Sequence, residues 1–485
     1  MKILFVGSEI MPFAATGGLG DVLGSLPQAI ASADEKDDIR AVMPLYGSIG
    51  AEHRHKMKFI KAFEVTLSWR KLYCGVFSLK KNGVTYYFLD NEYYFKRDSL
   101  YGSFDDGERY AFFCAAVLRM MYEVDFYPDI LHANDWQSAL SVVYLNLKYR
   151  WIEPYSKIRT VFTIHNIEYQ GKFGPETVDD LFGLHRGWYE GGTLQMDGCL
   201  NLMKGAMLCA DAVTTVSPTY ARQLHLSAYA EGMESVVQRC GEKFSGIVNG
   251  IDFSVFDPAT DPVLPAHYSV KNSRGKASCK KALQEELGLQ VQSDVPLISV
   301  VSRLVGHKGI DLICESLDTI MQTGCQLVVQ GSGEKQYEDF FRYAENRYKG
   351  RLCAYIGYNE DLAHRIYAGS DLFLMPSRSE PCGLSQMIAM RYGAVPIVRQ
   401  TGGLADTVRS CQAGQEDGNG FVFADYSAFD MQYVISQAVD LYRSDLHGFR
   451  RVQKRGMTDD FSWNVSAGAY ERLYENITEN TRRTK

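Results

Sequence analysis

Short continuous apolar runs alternate with helical periods along the first half of the chain. Ile3-Leu4-Phe5-Val6 reads as a strand, and the pattern after it predicts a helix over about residues 22–31. Further strands are predicted at 39–43, 75–79 and 84–89, the last two joined by Lys81-Asn82-Gly83, a hairpin turn sequence. The pattern continues as helix 108–123, strand 129–132, helix 137–148, strand 160–164, helix 199–209 and strands 212–216 and 244–248. Strand and helix alternating in this way mean a parallel sheet covered on both faces.

Periodicity fades between residues 256 and 276, a stretch with three prolines that follows the turn Asn249-Gly250-Ile251-Asp252. The same grammar then restarts: strand 296–301, helix 309–322, strand 326–329, helix 335–349, strand 352–356, helix 361–369, strand 371–375, helix 384–392 and strand 394–398. This predicts two doubly wound α/β domains, residues 1–245 and 246–460. The amphipathic, aromatic tail 461–485 needs a surface to cover, and the first domain is expected to supply it.

A chain of 485 residues is too long for one core, which agrees with two domains. A net charge of -7 argues against a nucleic-acid surface. The eleven cysteines are scattered, without a C-x-x-C pair or zinc spacing, as expected in a reducing cytoplasm. No apolar run reaches membrane-spanning length, and the first residues read as a buried strand rather than a secretory leader.

Candidate chemistry sits where strands end, because ligands of open α/β sheets lie outside the C-terminal strand ends. Thr16-Gly17-Gly18-Leu19-Gly20-Asp21 opens the first helix. Its glycines leave the backbone bare, and the helix start offers N–H groups to an anion; the plainer alternative is a tight turn. Gly18, Gly20 and Gly24 have the wrong spacing for a dinucleotide fingerprint, and the second strand ends in Pro44-Leu45-Tyr46 without an acid for a ribose. Arg303 and Lys308 follow one strand and suit a diphosphate, unless they are surface cations flanking a helix. Glu380 and the start Gly383-Leu384-Ser385 follow another; they suit a sugar hydroxyl and a phosphate, or are only helix caps. His165-Asn166 and His132-Ala133-Asn134-Asp135-Trp136 close two strands; Asp135 can cap a helix, and Trp136 can be core or stack on a sugar. Cys382 has no evident paired base. Thr401-Gly402-Gly403-Leu404-Ala405-Asp406 repeats the opening loop ahead of another helix.

These motifs occur in order over nearly the full chain, and jointly they resemble the bacterial glycogen synthases, which are similar to plant starch synthases. The resemblance implies a GT-B fold, two Rossmann-like domains facing across a central cleft. It implies retaining transfer of glucose from a nucleotide-glucose to the non-reducing end of an α-1,4-glucan, with no metal or cofactor. By motif, Arg303 and Lys308 hold the donor diphosphate and Glu380 orients the glucose. His165 lines the glucose site, and these four are the expected catalytic residues. Expected donor contacts are residue 15, Gly17, Gly18, Asp21, Asn166, Asn249, Cys382, Gly383, Leu384 and Ser385. Expected acceptor contacts are Tyr94, Phe95, Asp135 and Trp136. The partners are the nucleotide sugar and glycogen, with no nucleic acid or membrane.

Two positions depart from common patterns. The family carries Lys before Thr-Gly-Gly-Leu-Gly-Asp, and here the residue is Ala15. One charge-assisted hydrogen bond fewer costs donor binding ~1.5–3 kcal/mol, which keeps UDP-glucose open as an alternative to ADP-glucose. Many GT-B enzymes have a second acid where this chain has Ile388, but the synthases lack it too. A transferase for another sugar nucleotide, or a non-catalytic glucan binder, stays open at this level.

Overall fold

A computed structural model describes residues 1–34, 36–411 and 417–483, with side chains of 480–483 excepted. The chain divides into two compact units: Met1–Gly250 together with Trp463–Lys485, and Ile251–Ser462.

The first unit is built on a nine-stranded sheet. In chain order its strands are β1 (Lys2–Val6), β2 (Asp38–Pro44), β3 (Lys58–Leu67), β4 (Arg70–Lys81), β5 (Val84–Asp90), β6 (Ile130–Asn134) and β7 (Arg159–Ile164). A small three-stranded sheet follows, of β8 (Lys172–Phe173), β9 (Gln195–Met196) and β10 (Cys199–Asn201), before β11 (Ala212–Thr215) and β12 (Phe244–Gly246) complete the large one. The order β12-β11-β7-β6-β1-β2-β5-β4-β3 reverses direction at β1, between β6 and β2. Strands β12 to β5 pair in parallel, while β3, β4 and β5 are antiparallel. Residues 3–6 and all of β6 are buried, which is why these strands read as unbroken apolar runs. Asn82 and Gly83 both have positive φ (49° and 80°), the turn that Lys81-Asn82-Gly83 predicts.

Three features of this unit differ from the sequence pattern. Strand β3 and the first half of β4 were not legible, because β3 is an exposed edge strand with a bulge between Phe59 and Lys61 and so has no clean period of two. The predicted helix 199–209 is strand β10 followed by the helix Leu202–Cys209, since the Asn201 side chain accepts the N–H of Lys204 and starts the helix there. The unit runs to Gly250, so residues 246–250, assigned to the second domain, lie in the first.

The tail helix Trp463–Arg483 belongs to this first unit, while residues 461 and 462 belong to the second; 484 and 485 lie outside the described residues. It contacts α1 (Gly18–Ala33), and its buried Tyr474 donates to, or accepts from, His132 Nδ1 on β6 at 2.7 Å.

The second unit has a six-stranded, wholly parallel sheet. Its strands are β13 (Leu297–Val301), β14 (Gln326–Gly331), β15 (Leu352–Ile356), β16 (Leu372–Met375), β17 (Val395–Arg399) and β18 (Phe421–Phe423). The order β15-β14-β13-β16-β17-β18 is that of a doubly wound nucleotide-binding sheet, with its switch point between β13 and β16. Ile298, Val300, Leu327, Val329, Leu372 and Leu374 form the centre of its core. The irregular segment after Ile251 is held by buried polar groups: Asp261 pairs with His364 (2.8 Å) and accepts from Tyr392 (2.5 Å). No helix among the described residues is long and apolar enough to cross a membrane.

Candidate active site

In each unit the candidate residues lie at strand ends or in the segments that follow them. In the first unit β1 runs into the loop that begins α1. Thr16, Gly17 and Gly18 are exposed, and a Cβ at Gly17 or Gly18 meets nothing within 4 Å. Gly17 is the N-cap in an extended conformation with no side-chain cap, so the helix start faces solvent. Ala15 is half-buried and lies against Gly20, where an added Cβ falls 2.3 Å from that of Ala15. Asp21 follows on the first turn of α1, exposed.

The ends of β6 and β7 meet beside each other. Asp135 does not cap its helix, a role expected from its position; the N-cap is Asn134, without a side-chain cap bond. Instead the Asp135 carboxylate accepts the backbone N–H of His165 at 2.8 Å, with Asp135 itself at φ 56°. Burial pushes its carboxyl up to about 7, against the lowering by the His165 and Asn166 N–H groups, and the nearby Glu9 carboxylate adds to the rise. Asn134 spends its amide on the carbonyls of Val6 and His132, so its Oδ1 faces His165 Nε2 at 3.0 Å. That orientation assigns the His165 proton to Nε2. Burial pulls His165 and His132 down to about 3, so both are neutral at working pH. Asn166 Oδ1 accepts the N–H of Glu168 at 3.0 Å.

The linkage sign follows from these shifts. His132 and His165 take up protons below about 6.5 only when unfolded, so their contribution is complete above that pH and falls as pH drops toward 3. Asp135 acts the other way: its raised carboxyl favours folding below about 4, and this is lost as pH rises through about 7. Two groups oppose one between pH 4 and 6, so stability is expected to rise with pH there by about 1.4 kcal/mol per unit. Chemical denaturation at pH 4, 5 and 6 checks this; a flat or falling series contradicts the buried neutral histidines.

Trp136 is half-buried, edge-on to Tyr110 (5.5 Å) and tilted on Phe173 (5.8 Å). Tyr94 and Phe95, expected to meet an acceptor, are core residues: they are 1% and 0% exposed against Phe112. The short helix Glu92–Phe95 turns them inward and leaves Tyr93 exposed instead. Asn249, near the unit's end, is buried, and its Oδ1 accepts no hydrogen bond from a described residue.

In the second unit β13 and β16 lie side by side, so the loops after them meet. Lys308 Nζ donates to Glu380 Oε2 at 2.7 Å across 72 residues of chain, and Ser377 Oγ donates to the same oxygen at 3.0 Å. The two side chains are 18% and 8% exposed. Glu380 is therefore not a helix cap, and neither is Ser385: the helix Ser385–Arg391 starts without a side-chain cap. Arg303 is exposed beside His307, 3.4 Å from its Nε2, and His307 O accepts the N–H of Arg378 from the β16 loop. Gly309 has φ 75°, and a Cβ there would fall 2.1 Å from Pro376 O, so both its conformation and the backbone-to-backbone contact of the two loops call for glycine. Gly383, Leu384 and Ser385 present a half-exposed backbone, whereas Cys382 is buried.

The second Gly-Gly-Leu loop differs in role from the first. Thr401, Gly402 and Gly403 are buried, and Gly403 N–H donates to Glu380 O (3.1 Å) and Pro381 O (3.2 Å). This loop braces the Glu380 loop from behind.

Sequence reading missed Glu9, whose carboxylate binds the opening loop. Its position just past β1 was the available signal, the one used for Arg303. Among the described residues no cluster of three or more His, Cys, Asp or Glu is placed to hold a metal ion.

Two doubly wound units with a phosphate-type loop in one and a cation–carboxylate pair in the other define a glycosyltransferase of the two-domain class. Residues 2–239 match the starch synthase catalytic domain family, and residues 286–446 match the glycosyl transferases group 1 family. The chain is 45% identical over 98% of its length to the glycogen synthase of Lactobacillus acidophilus, covering 99% of that protein. It is 46% identical to that of Streptococcus equi subsp. zooepidemicus, covering 98% of this chain and 100% of that one. Its structure is similar to the catalytic domain of starch synthase IV from Arabidopsis thaliana bound to ADP and acarbose, with a TM-score of 0.90, 32% identity and coverage of 98% and 99%. The chain belongs to the bacterial glycogen synthase family.

Proposed function

We infer that this chain transfers glucose from ADP-glucose to the non-reducing end of an α-1,4-glucan, with retention at the anomeric carbon. The observation that carries the reading is the full-length match to glycogen synthases, joined to the likeness to a starch synthase structure bound to ADP and acarbose. The paired Lys308 and Glu380 support it as the donor side: a cation for the diphosphate beside a carboxylate for sugar hydroxyls. Arg303 adds a second, exposed cation next to it. Asn249, with its unused acceptor, and Gly383–Ser385 are read as glucose and phosphate contacts.

Retention fits a same-face substitution. The acceptor hydroxyl oxygen bonds the anomeric carbon as the carbon–oxygen bond to the diphosphate breaks. The leaving phosphate oxygen takes the hydroxyl proton, and Arg303 and Lys308 spread the charge that develops. Such a chain works in the cytoplasm, where nucleotide sugars are made.

The test is donor kinetics with ADP-glucose, UDP-glucose and GDP-mannose, with and without glycogen. ADP-glucose is expected to give the highest kcat/KM, and only with glycogen. Ala15→Lys, which restores the cation the family carries, is expected to lower the ADP-glucose KM about tenfold, as one charge-assisted bond predicts. Preference for UDP-glucose, or a glucosyl adduct on a side chain by mass spectrometry, contradicts this reading.

A further inference from the structure

The acid that sequence reading passed over is the best-bonded group at the opening loop. Glu9 is 4% exposed, three residues beyond the end of the loop's parent strand. Its Oε2 accepts the N–H of Thr16 at 2.5 Å and that of Gly17 at 3.2 Å, and its Oε1 accepts the Thr16 hydroxyl at 2.8 Å. The Tyr101 hydroxyl, hydrogen-bonded to Ser8 Oγ at 2.8 Å, lies near this carboxylate. The loop is pressed onto α1 from the other side: Met11 N–H donates to Gly20 O at 3.0 Å, and Ala15 lies against Gly20 with no room for a Cβ.

This arrangement sorts the N–H groups at the start of α1. Those of Thr16 and Gly17 are turned inward onto Glu9, and Gly18 is left as the first helical residue, exposed and with open space at its Cβ position. A buried carboxylate next to an anion-binding loop is electrostatically unfavourable for the anion. Its retained value is geometric, since three of its bonds go to that one loop.

We propose that Glu9 is a positioning residue of the transferase: its carboxylate clamps Thr16 and Gly17, and so fixes the exposed Gly17-Gly18 turn on which donor phosphate is bound. The proposal rests on the donor reading given above. It assigns Glu9 a role exercised through the loop it holds, and it separates geometry from charge. In Glu9→Gln one oxygen still accepts the two backbone N–H groups while the amide donates to the Thr16 hydroxyl, so the clamp persists without its charge. Glu9→Ala abolishes it. Thr16→Val removes only the hydroxyl bond and keeps the β-branched shape.

Steady-state kinetics of the full chain with ADP-glucose and glycogen tests this, with a thermal melt of each variant. Glu9→Ala is expected to raise the ADP-glucose KM at least tenfold while the glycogen KM stays within twofold. Glu9→Gln is expected within threefold of wild type, and Thr16→Val between the two. An unchanged donor KM in folded Glu9→Ala overturns the proposal, as does a Glu9→Gln defect as large as that of Glu9→Ala. Should Glu9→Ala not fold, Thr16→Val decides: an unchanged donor KM there counts against the clamp. Absence of wild-type turnover with ADP-glucose counts against the donor reading instead. ADP binding by calorimetry on the same variants then tests the clamp on its own, with the same order of affinities expected.

Discussion

Lys308→Ala is expected to lower kcat by ~10²–10³-fold, the range seen when one preorganised charge stabiliser of a transition state is removed. The position is doubly exacting. Its ammonium sits 2.7 Å from Glu380 Oε2, so the group proposed to draw charge from the leaving diphosphate also holds the carboxylate proposed to orient glucose. Removing it leaves Glu380, 8% exposed, with the Ser377 hydroxyl and without its cation. Breaking a largely buried pair destabilises by about 3 kcal/mol or less here, because Lys308 retains some solvent contact. The double variant Lys308→Gln/Glu380→Gln separates the two effects. It is expected to recover most of the melting temperature and none of the activity. Recovery of activity along with stability contradicts a role for Lys308 in the chemistry.

The two Gly-Gly-Leu loops are expected to respond in opposite ways to the same substitution. In Gly402→Ala the new Cβ lies 1.8 Å from Glu380 O, at φ 44°, so the backbone of the Glu380 loop has to move. A loss on the order of 3 kcal/mol is expected, together with a large fall in kcat as Glu380 leaves Lys308. In Gly18→Ala the Cβ meets nothing within 4 Å, and alanine favours a helix start more than glycine does. Stability is expected to be unchanged or up to ~1 kcal/mol higher, while the donor KM rises about tenfold if, as proposed, phosphate reaches the backbone through the space the methyl occupies. Denaturant melts and donor kinetics on the pair check both halves. Equal destabilisation of the two contradicts the assigned division between a binding loop and a brace.

That division was not legible in the chain, where Gly17-Gly18-Leu19 and Gly402-Gly403-Leu404 look alike. Local sequence determines that both follow a strand and open a helix. Whether their glycines meet solvent or another backbone depends on residues far away, here Glu380 to Cys382. The same limit explains Tyr94 and Phe95. Aromatic residues near a strand end suit sugar stacking or core equally, and only the inward register of their four-residue helix settles which. Edge strand β3 was missed for a related reason, since exposure on both faces removes the apolar alternation that marks a strand.

What the sequence determines by itself is the set of buried parallel strands, because each must be apolar on both faces over its whole length. It also determines the order of the loops that carry chemistry, because glycines and charges just past an apolar run lie at a strand end whatever the sheet order. Tertiary structure alone decides which of those loops become neighbours. Pairing of β6 with β7 brings Asp135 to the His165 backbone, and the switch point between β13 and β16 brings Lys308 to Glu380. The fold of the loop after β1 back on itself turns Glu9, a lone acid in the opening stretch, onto Thr16 and Gly17. The physical reason is that strand pairing is set by non-local burial and hydrogen bonding, for which no local pattern exists.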